Sequence, residues 1–99
     1  MSVGQLRGGI PEVFRSVITA GGRKHDFPFF TNYVIIRTDA DVRVYFTEQD
    51  YNDDANYVEI LAPAAGIATS GWWEGPAELE AIWLKGVSNV EVVAFQRRG

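Results

Sequence analysis

The stretch that decides the fold reads Tyr33-Val-Ile-Ile-Arg-Thr38, then Asp39-Ala-Asp41, then Val42-Arg-Val-Tyr-Phe-Thr47. In the second of its two apolar segments, Val42, Val44 and Phe46 alternate with Arg43 and Tyr45, which is the period of a β-strand. Strand patterning on both sides of a short polar break predicts a β-hairpin. We therefore expect antiparallel β structure, with Asp39–Asp41 as a solvated turn rather than a ligand site.

Short segments of the same kind occupy most of the remaining chain. Strands are predicted at residues 13–19, 25–30, 57–61, 80–85 and 90–95, with an acidic loop at 48–56. Pro28 confines the second of these strands to an edge or a bulge. A single helical turn is possible only within residues 75–81. Seven or eight short strands, spaced by about 8–12 residues, are typical of an all-β antiparallel sandwich or jelly roll.

Glycine and proline set the domain boundary. Gly4, Gly8, Gly9 and Pro11 punctuate the first residues too often for a regular element. We therefore predict a flexible, irregular N-terminal arm at residues 1–12 and one β-sandwich domain at residues 13–99.

Composition restricts the classes of function. The chain has 99 residues, and its net charge of −4 disfavours a nucleic-acid binder. It has no cysteine, which excludes disulfides, thiolate catalysis and cysteine-based zinc sites. Its apolar runs are strand-sized and its N-terminus lacks the apolar core of a signal peptide. We expect a product made in a reducing cytoplasm, with neither nucleic acid nor membrane as partner. The thin core of so small a domain favours a homo-oligomer.

Residues that could carry catalysis are few. His25 is the only histidine, no Gly-x-Ser-x-Gly sequence occurs, and Asp26 should point to the opposite face of its strand. Acid–base chemistry would fall to Glu74, Glu78 and Glu80, a pairing of the kind that glycosidases use. A domain of this size offers little room for a two-walled cleft. We therefore expect that the protein is not an enzyme and that it binds no cofactor.

The acidic loop is the best candidate for a metal. Asp50, Asn52 and Asp54 have the alternate spacing of the first ligands in an EF-hand loop. Ala55 and Leu61 stand where that pattern needs glycine and glutamate. We therefore predict a solvated loop, with a weak calcium site that adds Asp53 or Glu48 as the alternative.

The adjacent tryptophans Trp72 and Trp73 have two interpretations. Neighbours in a strand point to opposite sides, so one can lie in the core while the other is exposed. An exposed tryptophan suits a protein interface or a sugar-stacking platform. Trp83, inside a strand, is assigned to the core.

Five strand-like segments carry a further signal: residues 32–46, 56–60 and 73–76, Ile82-Trp-Leu-Lys before Gly86, and the closing Val93-Ala-Phe-Gln-Arg-Arg-Gly99. Together they span roughly residues 13–99, and they resemble small structural proteins of tailed bacteriophages, the capsid decoration or cement proteins.

The resemblance implies a structural virion protein on the capsid surface, made in the host cytoplasm, that binds and stabilises the lattice of the major capsid protein. Such proteins are often trimers, although no trimer motif can be identified in this chain. The alternative is a carbohydrate-binding or fibre- or tail-associated module. The candidate contact residues are Arg7, Ile10, Phe14, Trp72, Trp73, Arg97 and Arg98.

Overall fold

Strands make up nearly all of the regular structure in the computed structural model, which describes residues 11–63 and 71–97. Within those ranges lie eight strands and one short helix. In chain order they are β1 (Glu12–Ile18), β2 (Arg23–Asp26), β3 (Thr31–Thr38), β4 (Val42–Tyr45), α1 (Glu48–Asp53), β5 (Val58–Ile60), β6 (Trp72–Pro76), β7 (Ala81–Lys85) and β8 (Ser88–Gln96). The predicted all-β class is confirmed.

The strands form two antiparallel sheets that pack face to face. The first sheet has the order β1-β8-β3-β6 and the second has the order β2-β7-β4-β5. Each strand of the first half pairs with its counterpart counted back from the end: β1 with β8, β2 with β7, β3 with β6 and β4 with β5. The chain is thus one long hairpin wound around a core, which is the connectivity of a jelly roll. The predicted antiparallel sandwich is confirmed.

The predicted hairpin between residues 33–38 and 42–47 is wrong. β3 lies between β8 and β6 in the first sheet, whereas β4 lies between β7 and β5 in the second. Val34 and Ile36 of β3 are fully buried in the core, and so is Val44 of β4. Two strands that each have one apolar side can pair within one sheet, or they can lie in opposite sheets and face each other across the core. The apolar pattern is the same in both arrangements, so it does not distinguish them.

Residues 39–41 therefore cross from one sheet to the other. The carboxylate of Asp39 accepts hydrogen bonds from the backbone N–H of Asn89 and from Ser88 Oγ, both at 2.9 Å. Bonds from the Asn89 side chain, from its backbone and from Ser88 hold the pKa of Asp39 below its ordinary value. Asp41 accepts from the N–H of Ala62 at 2.7 Å. The segment is exposed, as a turn should be, but its carboxylates tie the crossing to both sheets.

The core lies between the inner faces of the two sheets. Ile36 and Val92 are fully buried on one side, and they face Val44, Ile82 and Leu84 on the other. Because side chains alternate along each strand, every second residue of the central strands reaches this core. Burial of branched aliphatic side chains at close packing is the main source of stability for such a domain.

The predicted acidic loop at residues 48–56 is wrong over its first six residues, which form α1. Thr47 caps this helix, since its hydroxyl accepts from the backbone N–H of Asp50 at 3.1 Å. Glu48 and Asp50 in the first turn suit the positive end of the helix. Asp54 ends it in the left-handed region, with φ of 51°. A polar helix of this length has no apolar period, so only the cap could have indicated it.

Smaller differences concern element boundaries. β1 begins at Glu12, and residues 1–10 of the predicted arm lie outside the described residues. β2 covers residues 23–26 and stops before Pro28, instead of covering residues 25–30. No helical turn forms within residues 75–81, where β6 runs to Pro76 and β7 begins at Ala81.

Candidate functional site: an exposed sheet face

The solvent side of the β1-β8-β3-β6 sheet, hereafter the outer face, carries an unusual number of apolar side chains. Val90, Val92 and Ala94 of β8 point into the core, so Val93 and Phe95 point outward. The apolar outward residues of the sheet are Val13, Val17, Tyr33, Ile35, Trp72, Val93 and Phe95. An antiparallel sheet with one face in water normally presents polar residues there. The outer face is therefore more apolar than is usual for a solvent-facing side of an antiparallel sheet.

Strand register makes this patch continuous. Val93 pairs with Val13 on one side and with Ile35 on the other, so one row across three strands is wholly aliphatic. In the next row, Phe95 lies beside Tyr33, with their ring centres 6.2 Å apart. Val13 is 54% exposed, whereas Ile35, Val93, Tyr33 and Phe95 are half-buried. A contiguous apolar patch that reaches the surface is a feature of interaction sites in proteins.

A charged row borders the apolar rows. Arg15 Nε lies 2.8 Å from one carboxylate oxygen of Glu91, and Arg37 Nη1 lies 3.9 Å from the other. The guanidinium of Arg37 also lies 5.9 Å from the centre of the Trp72 ring. One carboxylate thus serves two arginines, which leaves the row positive. An interface with an apolar centre and a charged border is the usual anatomy of a protein docking surface.

On the far side of the patch, one hydrogen bond fixes the phenol of Tyr33. Its hydroxyl donates to the carboxylate of Glu74 on β6. This bond is the main cause that raises the pKa of Tyr33, and burial and the negative charge of Glu74 add to it. The ring is therefore held against Phe95 rather than free to turn.

Strand geometry separates the two adjacent tryptophans. Trp72 lies on the outer face and is 44% exposed, while Trp73 turns inward and its ring centre lies 5.5 Å from that of Phe46. Phe14 also lies on the inner side, where its ring stacks on His25 with centres 3.9 Å apart. Of these three aromatic candidates, only Trp72 is presented to a partner on this face.

The remaining candidate contact residues lie elsewhere. Arg97 follows β8, pairs with Glu78 at 3.2 Å and lies over the ring of Phe30. Arg7, Ile10 and Arg98 are outside the described residues.

Sequence reasoning missed the aliphatic part of the outer face. Ile35 and Val93 were not singled out, although a signal was present. The run Tyr33-Val-Ile-Ile36 is apolar on both sides of its strand, and continuous apolar runs are typical of strands covered on both faces. The core covers one face of β3, and the other face carries Tyr33 and Ile35 toward solvent.

His25 is buried between the two sheets, where its contacts are structural. Its Nε2 lies 3.0 Å from Glu12 Oε1, and its ring stands edge-on to Phe27. Asp26, its neighbour, is exposed and pairs with Lys24, as the strand alternation predicts. The histidine thus links β1 of one sheet to β2 of the other.

The second sheet differs from the first because a helix covers part of its solvent side. Tyr45 points outward from β4 yet is fully buried, since the ring of Tyr51 from α1 packs against it. The Tyr45 hydroxyl donates to Asp54, which Arg43 also binds at 2.9 Å. These bonds lower the pKa of Asp54, the bond from Tyr45 most of all. Asp54 therefore serves as an anchor of the helix cap.

Burial of Tyr45 predicts a loss of stability at high pH. Burial first, and then the bond to Asp54, raise the pKa of Tyr45 from 10.0 to about 12. Between these values the unfolded chain loses this proton while the folded protein keeps it, so ionisation stabilises the unfolded state. We expect the free energy of unfolding to fall by about 2 kcal/mol as pH rises from 10 to 12. Urea titrations across this range should show a flatter dependence for Tyr45→Phe than for the wild type. Equal slopes in the two proteins would contradict the assignment.

Two searches of the described residues gave negative results. No helix in residues 11–63 and 71–97 is long and apolar enough to cross a membrane. Within the same ranges no three histidine, aspartate or glutamate side chains are grouped so that they could hold a metal ion.

Comparison with family models, with curated proteins and with solved structures gave no match to this chain.

Proposed function

We propose that the protein is a structural virion component, a capsid decoration or cement protein that binds the lattice of the major capsid protein through its outer face. The observation that carries the proposal is the aliphatic row of Val13, Val93 and Ile35, continued by Tyr33 and Phe95. In the part of the chain that the structure describes, Val13 is exposed and Ile35 and Val93 are half-buried, and a protein surface would remove the rest of this row from water. The jelly-roll connectivity is compatible with the proposal, because viral capsid domains use it, although lectin domains use it as well.

The shape of the outer face favours a protein over a small molecule. Small ligands bind in concave pockets that bury most of their surface. The apolar rows instead lie on a sheet, with an open depression of about 500 Å³ beside the Arg15 and Arg37 row. A specific protein contact needs roughly 800 Å² from each partner, and a four-stranded sheet face can supply an area of that order.

On a lattice, several modest contacts act together, so that the overall binding is stronger than any one contact. In the proposed assembly several copies, with a trimer favoured, bind around a symmetry axis of the shell. Each bound copy raises the effective concentration of the next contact, so a weak single interface becomes stable occupancy. This role requires a rigid scaffold rather than a catalytic group.

The carbohydrate-binding alternative has less support. It relied on Trp72 and Trp73 as a joint stacking platform, but Trp73 packs against Phe46 and Arg37 lies over the Trp72 ring. The two rings therefore do not form one open surface.

Co-sedimentation with shells tests the proposal. Shells assembled from the major capsid protein of the proposed phage should carry the protein to the pellet, with saturation at a fixed ratio to capsid subunits. Binding should survive moderate salt, since the centre of the contact is apolar. If the protein stays in the supernatant at all shell concentrations, the proposal is wrong.

A further inference from the structure

A groove of about 490 Å³ lies beside the second sheet, away from the outer face. Its walls come from β2, from β7 and from the residues that follow β4. Three aromatic side chains line it, namely Phe30, Phe46 and Trp83. Trp83 was assigned to the core from the sequence, but the structure leaves it half-buried on the outward side of β7. Nothing in the proposed capsid contact uses this groove.

Cations of the chain itself already occupy two edges of the groove. Lys24 Nζ lies 5.4 Å from the centre of the Trp83 ring and 3.2 Å from the carboxylate of Asp26. Arg97 lies 5.1 Å from the centre of the Phe30 ring, and it pairs with Glu78. In each pair a cation of the chain lies over one ring and beside one carboxylate, so the groove already holds cations in the way in which a cationic ligand would be held.

Two further carboxylates line the groove without such compensation. Among the residues that the structure describes, neither Glu48 nor Glu80 takes part in an ion pair, and both belong to the groove wall. With the other acids paired, the groove keeps a negative charge beside the rings of Phe46 and Trp83. The charge that would complement it is a cation with a flat apolar surface.

We propose that this groove binds the guanidinium group of an arginine side chain presented by a protein partner. A guanidinium is planar and weakly hydrated, so it stacks on aromatic rings while its N–H groups donate to carboxylates. A neutral sugar would use the rings but would leave the two negative charges without a counter-charge. The groove adjoins the second sheet and the proposed capsid contact lies on the first, so both can be filled at once.

Nuclear magnetic resonance titration with a minimal probe tests the assignment. We expect N-acetyl-arginine amide, at low ionic strength, to shift the indole N–H signal of Trp83 in a saturable way and to leave that of Trp72 unchanged. The citrulline analogue, which is the same size and uncharged, should give no saturable shift. The double variant Glu48→Gln/Glu80→Gln should weaken arginine binding about tenfold. Asp53→Asn/Glu59→Gln changes the net charge equally outside the groove and should stay within twofold of wild type.

Three outcomes would overturn the proposal. The first is equal shifts from the arginine and citrulline probes. The second is equal weakening by the two double variants, which would indicate a general effect of net charge. The third is a saturable Trp83 shift with a neutral disaccharide that Glu48→Gln/Glu80→Gln leaves unchanged, since this would assign the groove to sugars. Retention of a dispersed amide spectrum shows that each variant is folded.

Discussion

Ile35→Lys should abolish binding to capsid shells while the protein stays folded. Ile35 lies at the centre of the outer face, in register with Val93 on one side and Glu74 on the other. A lysine there would place a charge in the middle of the contact, where central positions carry most of the binding energy. We expect the dissociation constant measured by co-sedimentation to rise at least about 100-fold. The free energy of unfolding should change by less than about 1 kcal/mol, because the lysine stem can lie along the sheet.

Val87→Lys is the matched control for this substitution. Val87 is 65% exposed in the turn between β7 and β8, away from the apolar rows. The same change in charge at this position should leave shell binding within about threefold of wild type. If Val87→Lys weakened binding as strongly as Ile35→Lys, the contact would depend on net charge rather than on the outer face.

Gly86→Ala should produce the largest loss of stability of any glycine-to-alanine change among the residues that the structure describes. Gly86 has φ of +124°, and a Cβ there would lie 2.4 Å from the carbonyl oxygen of Asp41. That oxygen belongs to the crossing between β3 and β4, so backbone on both sides would have to move. We expect the free energy of unfolding, measured by urea denaturation, to fall by about 3 kcal/mol or more. Such a loss is a large part of the total stability of a small domain.

Gly21→Ala provides the comparison for Gly86→Ala. An added Cβ at Gly21 meets no atom within 4 Å, and alanine restricts the unfolded chain more than glycine does. Its stability should match or exceed that of the wild type by up to about 1 kcal/mol. A loss below 1 kcal/mol for Gly86→Ala would mean that the crossing at Asp41 can shift without cost.

Much of the fold was predictable from local pattern. Val42, Val44 and Phe46 alternate with outward residues as expected for a strand, and turn residues such as Gly86 separate most of the strands correctly. The local pattern predicts which residues of a strand are buried, but it does not predict the strand with which that strand pairs. The connection at Asp39–Asp41 was therefore mistaken for a hairpin. Its true role depends on Ser88 and Asn89, some fifty residues away.

The candidate surface was harder to predict than the fold. Phe14 and Trp73 are candidate contact residues because they are aromatic. The side of the sheet to which each ring points depends on strand register, and both rings point inward. Val93 and Ile35 looked like core residues, since aliphatic side chains in strands usually are. Only the register of β8 between β1 and β3 shows that they lie together on the solvent side.

Cross-saturation from capsid shells to methyl groups tests the central claim most directly. With protonated shells and with this protein deuterated except at its methyl groups, saturation passes only to methyls at the contact. The methyl signals of Val13, Ile35 and Val93 should lose intensity, while those of Leu61 and Val87, which are exposed elsewhere, should not. Equal or greater loss at Leu61 and Val87 would show that the outer face is not the surface that binds the shell.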